Sequence, residues 1–384
     1  MVRALRRAAD LSLALPVGAL IGLVWANTAG DSYSVFAHAL HFGVNDVGMV
    51  FFFALAAKEV VEAMAAGGAL SSWQAAALPL VAAVGGILGP AAAYVSIVWW
   101  QNEPELARGW AIPCATDIAF SYLVARAIFR EHPAIPFLLL LAIADDAIGL
   151  MILAIFYPSG EVRLLMAAGL MALAVAVALV VRRTRPASFW PYVLAGGTLS
   201  WAALYYGGLH PALALVPIVP FMPHAPRDAG LFVEAPAGDH DALSEFEHWW
   251  KYPVQLILLI FGLVNAGVPL EQVGPGTWAV LAAILIGKPL GILLAVVPAI
   301  GAGFRLPDGL TWRDLLVVGI AAAIGFTVAL FFATAAFQPG DQLDQTKMGA
   351  LLSVGSALVA FAVAKGLGVG RFGRATAPAG QGRP

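Results

Sequence analysis

The stretch Ala134–Tyr157, AIPFLLLLAIADDAIGLMILAIFY, carries two charged side chains, Asp145 and Asp146, adjacent and at its middle. At a rise of about 1.5 Å per residue, such a run is long enough to cross a hydrocarbon core of about 30 Å. An aspartate at that depth costs roughly 2.5–3.5 kcal/mol on insertion scales. Two side by side require something that offsets the cost.

The rest of the chain belongs with this segment. Of its 384 residues, 61% are hydrophobic and 11% charged, and the mean hydropathy is +0.85. Soluble chains carry about 25% charged residues, so the composition reads as an all-α polytopic membrane protein. A net charge of −2 argues against a nucleic-acid partner. The single cysteine, Cys114, excludes an intrachain disulfide. The opening MVRALRRAADLSLALPVGALIGLVWAN has a hydrophobic run too long for a signal core, so no cleaved signal is expected.

Twelve hydrophobic segments follow one another, near 11–26, 47–66, 75–98, 109–127, 135–157, 162–182, 191–206, 208–222, 252–268, 277–303, 314–337 and 347–369. The seventh and eighth are short and meet at Gly207 and Gly208. With the amino terminus inside, fifteen of the 21 Lys and Arg fall in inner loops. Only Arg108, Arg163 and Lys347 fall in outer ones, and Lys58, Lys288 and Lys365 lie within segments. That asymmetry predicts both termini on the cytoplasmic side. The hydrophilic stretch 223–251 is then a cytoplasmic loop leading into an amphipathic helix, and its His and acidic residues match no common metal-ligand spacing. Residues 370–384 are expected to be a disordered tail on a single transmembrane domain spanning 1–384.

Ionisable residues inside a membrane are functional candidates. Here they are Lys58, Glu59 and Glu62 in the second segment, Asp117 in the fourth, Asp145 and Asp146 in the fifth, and Lys288 in the tenth. Lys365 lies near an inner end and can snorkel to the interface. Two segments look interrupted. The fourth has Pro113 four residues before Asp117, with Thr116 between, and proline disfavours helix at and before itself. The eleventh carries Gly325 and Thr327 near its middle. Singly, each fits a kinked or closely packed helix. Together they suggest two triplets, about 75–157 and 277–369, forming inverted repeats with interrupted middle segments and a midplane site, the architecture of secondary transporters. An aspartate suits the positive ends of half-helices and a lysine the negative ends, tasks open to Asp117 and Lys288.

GWAIPCATDIAF, LAIADDAIG, NAGV, GKPLGI and IGFT occur in the order, spacing and segments of the NhaA-type sodium/proton antiporters, which the chain resembles over nearly its whole length. That family is a standard example of the inverted-repeat architecture, so the two inferences are not independent. The resemblance implies about twelve transmembrane helices, the fourth and eleventh crossed and partly unwound. It implies electrogenic, pH-regulated exchange of Na⁺ or Li⁺ for H⁺ across a bacterial inner membrane, with no cofactor and with a homodimer among the assemblies allowed. Asp145 and Asp146 match the essential aspartate pair that holds sodium or protons, Asp146 as principal ligand and Asp145 as partner of the lysine. Thr116, Asp117, Lys288, Gly325 and Thr327 match the helix crossing.

The chemistry of the residues agrees with exchange. Neighbouring helical residues point about 100° apart, so one aspartate can pair with Lys288 while the other faces water. A carboxylate cannot hold a proton and coordinate a hard alkali cation with the same lone pairs. Competition at one site opened alternately to each side is exchange.

The second segment departs from the family. Glu59 matches a glutamate of the cytoplasmic funnel, but the usual basic residue after it is missing and Lys58 precedes it instead. Lys58 and Glu62, spaced i, i+4, are suited to pairing, either as a structural pair or within a pH-responsive group that also takes in Glu247 and His248 by resemblance. Rival readings fare worse. HPALAL at 210–215 contains a Pro-Ala-Leu tripeptide of intramembrane aspartyl proteases, but no Tyr-Asp or Gly-x-Gly-Asp accompanies it. Asp146 is followed by AIGL rather than a DDxxD-like metal motif, and GVGRFG at 368–373 follows no strand, so it is no nucleotide fingerprint. A channel would need no counter-ion gradient.

Overall fold

The computed structural model describes residues 13–65, 73–184, 188–223 and 241–373, and no strand occurs among them. Most of the loop expected at 223–251, and the tail from 374, lie outside the described residues. Gly370–Phe372, placed in that tail, form a 3-10 turn.

The chain runs through α1 (Ala14–Thr28), α2 (Gly30–Phe42), a π-helical turn at Gly43–Gly48, and α3 (Met49–Met64). The second segment is therefore the later part of a helical run that starts at Gly30. After α4 (Trp73–Trp100), two 3-10 turns (Pro104–Gly109 and Ile112–Cys114) precede α5 (Ile118–Phe129). Next come α6 (Ala134–Phe156), α7 (Leu164–Thr184), a π turn at Tyr192–Gly197 and α8 (Thr198–Tyr206). The carboxyl-terminal half contains α9 (Ala242–Asn265), α10 (Pro275–Ala282), a π turn at Ala283–Gly287 and α11 (Lys288–Gly301). It closes with α12 (Trp312–Ala322), α13 (Phe326–Ala336), α14 (Asp341–Leu352) and α15 (Ser356–Leu367).

Five of the described helices are long and apolar enough to cross a membrane. Two bent pairs do so as single broken spans: Pro104–Cys114 with Ile118–Phe129, at 55°, and Trp312–Ala322 with Phe326–Ala336, at 50°. Large apolar side chains such as Leu164, Leu165 and Leu358 stand exposed, as a lipid-facing surface requires.

The eighth segment takes a form the hydropathy pattern did not anticipate. Residues 208–222 follow 3-10 turns at Pro211–Leu213 and Val219–Phe221 joined by further turns, and contain no α-helix. Pro211, Pro217 and Pro220 remove backbone donors about every third to sixth residue, which leaves i→i+3 bonds such as Ala214 N to Pro211 O at 3.0 Å. Most of the stretch is buried, so its turns are shielded from lipid.

Glycines fix where Lys288 lies. On α4, Gly85 and Gly89 meet Gly287 and Gly291, which flank the lysine, so closely that a methyl on Gly89 would stand 2.6 Å from Gly291 Cα. Small residues at such a crossing let two backbones touch. Gly89→Ala should destabilise the protein by about 1–3 kcal/mol through overpacking. Gly169→Ala on α7, where nothing lies within 4 Å, should be neutral or slightly stabilising. Thermal unfolding in detergent distinguishes them; equal effects would mean that the α4–α11 contact is looser than described.

Candidate functional site

The site forms where two broken spans face an unbroken helix. Ala115 is extended after Cys114, and Asp117 is the N-cap of α5. In the other span, α12 stops at Ala322 and α13 restarts after Gly325. The breaks bind one another through Asp117 N, which donates to Ile324 O at 2.6 Å. Gly325 permits the approach, since a methyl there would lie 3.1 Å from Ala115 O.

Asp117 serves the amino ends of both half-helices. Its Oδ1 accepts from Phe120 N at 3.3 Å and its Oδ2 accepts from Thr327 N at 3.3 Å and from the Thr327 hydroxyl. Each amino end carries roughly half a positive charge and unsatisfied N–H groups. One carboxylate therefore answers two ends. Lys288 does the converse, donating to the carbonyl of Cys114 at the carboxyl end of the first half-span and to Asp145 Oδ2 at 2.8 Å. It is fully buried, and Asp145 is 4% exposed. The Thr116 hydroxyl lies 2.6 Å from Asp145 Oδ2 and 3.1 Å from Ala322 O, and its single proton serves one of them at a time.

Thus Thr116, Asp117, Asp145, Lys288 and Thr327 share one network, with Gly325 at its hinge. Asp145 Oδ1 has no hydrogen-bond partner among the described residues. Asp146, next along α6, makes no polar side-chain contact among the described residues and is only partly buried. It lines a small cavity of about 20 Å³ together with Asp145, Cys114, Ala115, Phe53 and Phe332. The chemistry on offer is a carboxylate and a carboxylate oxygen without partners among the described residues beside a paired ammonium, around a space the size of about one water molecule or bare small cation.

The second group lies on α3 and α9. Lys58 Nζ is 2.6 Å from Glu62 Oε2, 2.7 Å from Glu247 Oε2 and 3.4 Å from Glu59 Oε1. The ammonium is buried and ties the two helices together, whereas His248 is exposed and makes none of these pairs.

Sequence reasoning passed over the groups that hold the breaks in place. Tyr94 donates to Leu106 O at 2.9 Å and Tyr157 to Arg108 O at 2.8 Å, and Tyr157 accepts from Ala111 N at 3.2 Å. Ser356 donates to Ala323 O at 3.1 Å, and Ser353 Oγ accepts from Gly325 N at 3.3 Å. The available signal was a hydroxyl inside an apolar helix, which needs a carbonyl or amide that only an interrupted neighbour can offer.

A protein-family model described as Na+/H+ antiporter 1 matches residues 3–364. A Desulfitobacterium hafniense protein named Na(+)/H(+) antiporter NhaA is 49% identical over 376 residues, covering 94% of this chain and 95% of its own length. A Geotalea uraniireducens protein of the same name is 44% identical over 390 residues, covering 98% and 100%. The structure of the sodium proton antiporter MjNhaP1 from Methanocaldococcus jannaschii matches with a TM-score of 0.57 and 15% identity, covering 95% of this chain and 93% of that one. At that identity the likeness concerns the fold alone.

Lys288→Ala should cost about 3–5 kcal/mol, because Asp145 then stays buried without a counter-charge. Adding Asp145→Asn should recover part of the loss. Melting in detergent of the two single variants and the double variant measures the coupling; a Lys288→Ala protein as stable as wild type would refute the pairing.

Proposed function

The chain belongs to the Na+/H+ antiporter 1 family, and from that premise we propose that it exchanges Na⁺ or Li⁺ for H⁺ across a bacterial plasma membrane. The observation that carries the mechanism is the division of labour in one cavity: Asp145 is held by Lys288, and Asp146 has no partner among the described residues. Asp146 is the principal ligand for either the cation or a proton, and the free oxygen of Asp145 joins it. Because both ligands need the same oxygens, sodium binding expels protons. Alternating access follows from movement of the broken spans about the network, as two inverted triplets near 75–157 and 277–369, with both termini cytoplasmic. Lys288 releases its proton when sodium draws Asp145 away, which makes the cycle electrogenic. The charged group of Lys58, Glu59, Glu62 and Glu247, reaching into the inner mouth, sets the response to cytoplasmic pH.

A proteolytic reading has less support. Two hydrolytic aspartates must share a water, whereas Asp145 is engaged by a lysine and a threonine.

In everted vesicles carrying a pH-sensitive dye, Asp146→Asn should abolish cation-driven proton movement while the protein remains folded in the membrane. A normal rate at saturating sodium would overturn the reading. Apparent sodium affinity should improve about tenfold per pH unit for each competing proton while the site is mostly protonated. An affinity flat from acid to alkaline pH would mean that cation and proton use separate sites.

A further inference from the structure

The glycine-rich run GVGRFG, 368–373, is no nucleotide fingerprint, but the fold gives it a place. It begins as the cap of α15, where the N–H groups of Gly368 and Val369 donate to the carbonyls of Lys365 and Ala364. It then folds back on itself, Phe372 N donating to Val369 O at 3.2 Å and Gly373 N to Gly370 O at 3.0 Å. A helix cap needs only the first of these. The rest reaches α5. Gly370, at φ +59°, lies so close to the last turn of α5 that a methyl on it would stand 2.3 Å from the carbonyl oxygen of Ile128. Val369 beside it is 5% exposed, and Ile128 and Phe129 are buried. The Arg371 guanidinium lies 5.3 Å from the ring centroid of Phe361, on α15, and 4.7 Å from that of Phe372, which holds the turn against α15. Just past α5, Arg130 takes φ +58°, a conformation that residues with a side chain adopt rarely.

The end of α5 held in this way is the far end of the half-helix that Asp117 caps. α5 has only 12 residues, and its other end is the break. A tilt of so short a lever would draw Asp117 away from Thr327 and Thr116 away from Asp145. We propose that residues 368–373 form a strap that fastens α5 to α15, with Val369 and Gly370 as positioning residues for the site. They hold the half-helix at one end so that Thr116 and Asp117 keep their places at the other. α5 and α15 come from different triplets, so the strap joins the two at one end of the bundle, as Asp117 N and Ile324 O join them at the break. The effect on transport rests on the exchange function given above; the fastening of α5 does not.

The test uses the full-length chain as wild type and four variants. Val369→Ala shortens the buried side chain of the strap, Val369→Ile keeps it, Gly370→Ala sets a methyl against Ile128, and Gly366→Ala changes α15 where nothing lies within 4 Å. Amide hydrogen exchange in detergent reads the fastening. In Val369→Ala and Gly370→Ala, peptides from α5 should exchange about tenfold faster than in wild type, while those from α4 and α6 keep their protection. Val369→Ile and Gly366→Ala should match wild type. Should Gly370→Ala fail to fold, Val369→Ala decides alone. Faster exchange confined to residues beyond Leu367 would make the run a helix cap only and overturn the strap. An α5 as protected as in wild type would do the same, and so would protection lost evenly through the whole of Val369→Ala. In proteoliposomes, the loosened variants should need about threefold more sodium for half-maximal exchange, yet reach the wild-type rate at saturating sodium. A loosened α5 with an unchanged sodium requirement would overturn the positioning role. If wild type itself exchanges no sodium, the functional reading fails, and the protection result still stands or falls by itself.

Discussion

A helix interrupted in the middle of a membrane exposes backbone groups where neither water nor a sheet can satisfy them, at a cost of several kcal/mol for each one left bare. The arrangement around residues 115–117 and 323–325 is organised by that constraint. Two interruptions placed together partly satisfy one another, as Asp117 N and Ile324 O do. What remains is electrostatic, with positive amino ends on one side and a negative carboxyl end on the other. Asp117 and Lys288 neutralise these, and each would be prohibitively costly in lipid without the helix ends it serves. The two charges and the two breaks therefore depend on one another.

Rigid elements hold this soft centre. α6 runs unbroken for 23 residues and presents Asp145 and Asp146 to the breaks from an undistorted backbone. The glycine crossing of α4 with α11 fixes the base of Lys288, immediately after a π turn, and the lysine stem runs past Gly86. Tyr94 and Tyr157 anchor the first half-span from outside. On the exchange proposed above, mobility belongs to the interrupted spans, whose hydrogen bonds are few and exchangeable, while the carboxylates keep their relative placement.

Much of this was legible because membrane sequences are constrained by simple rules. A charge within an apolar run, Pro113 before Asp117 and a glycine opposite in the eleventh segment locate the centre before any coordinates are known. The helical period alone separates Asp145 from Asp146. Less legible was anything that depended on which atom a side chain reaches. That Asp117 answers two half-helices, or that the lysine binds the Cys114 carbonyl as well as Asp145, needs tertiary distances. The stretch 208–222 misled for a different reason: hydropathy reports burial, and burial does not distinguish α-helix from a run of proline-punctuated turns. Around Lys58 the i, i+4 spacing identified Glu62, but the third carboxylate, Glu247, comes from another helix nearly two hundred residues away.

The adjacency of the two aspartates then acquires a physical meaning. Asp145 Oδ2 is committed to Lys288 and Thr116, while Oδ1 has no partner among the described residues. On the proposed exchange, a cation taken by Asp146 would also draw on that oxygen, and any share of Asp145's charge given to the cation would be withdrawn from Lys288. The ammonium would keep the Cys114 carbonyl, but one carbonyl dipole is a poor substitute for a full counter-charge. On the proposed cycle, loss of the lysine proton becomes the least costly way for the site to remain near neutrality. A single aspartate could bind sodium or a proton. On the exchange proposed above, two neighbours, one without a partner among the described residues and one leashed to a lysine, would let the arrival of a cation on the first be felt as a loss of charge on the second.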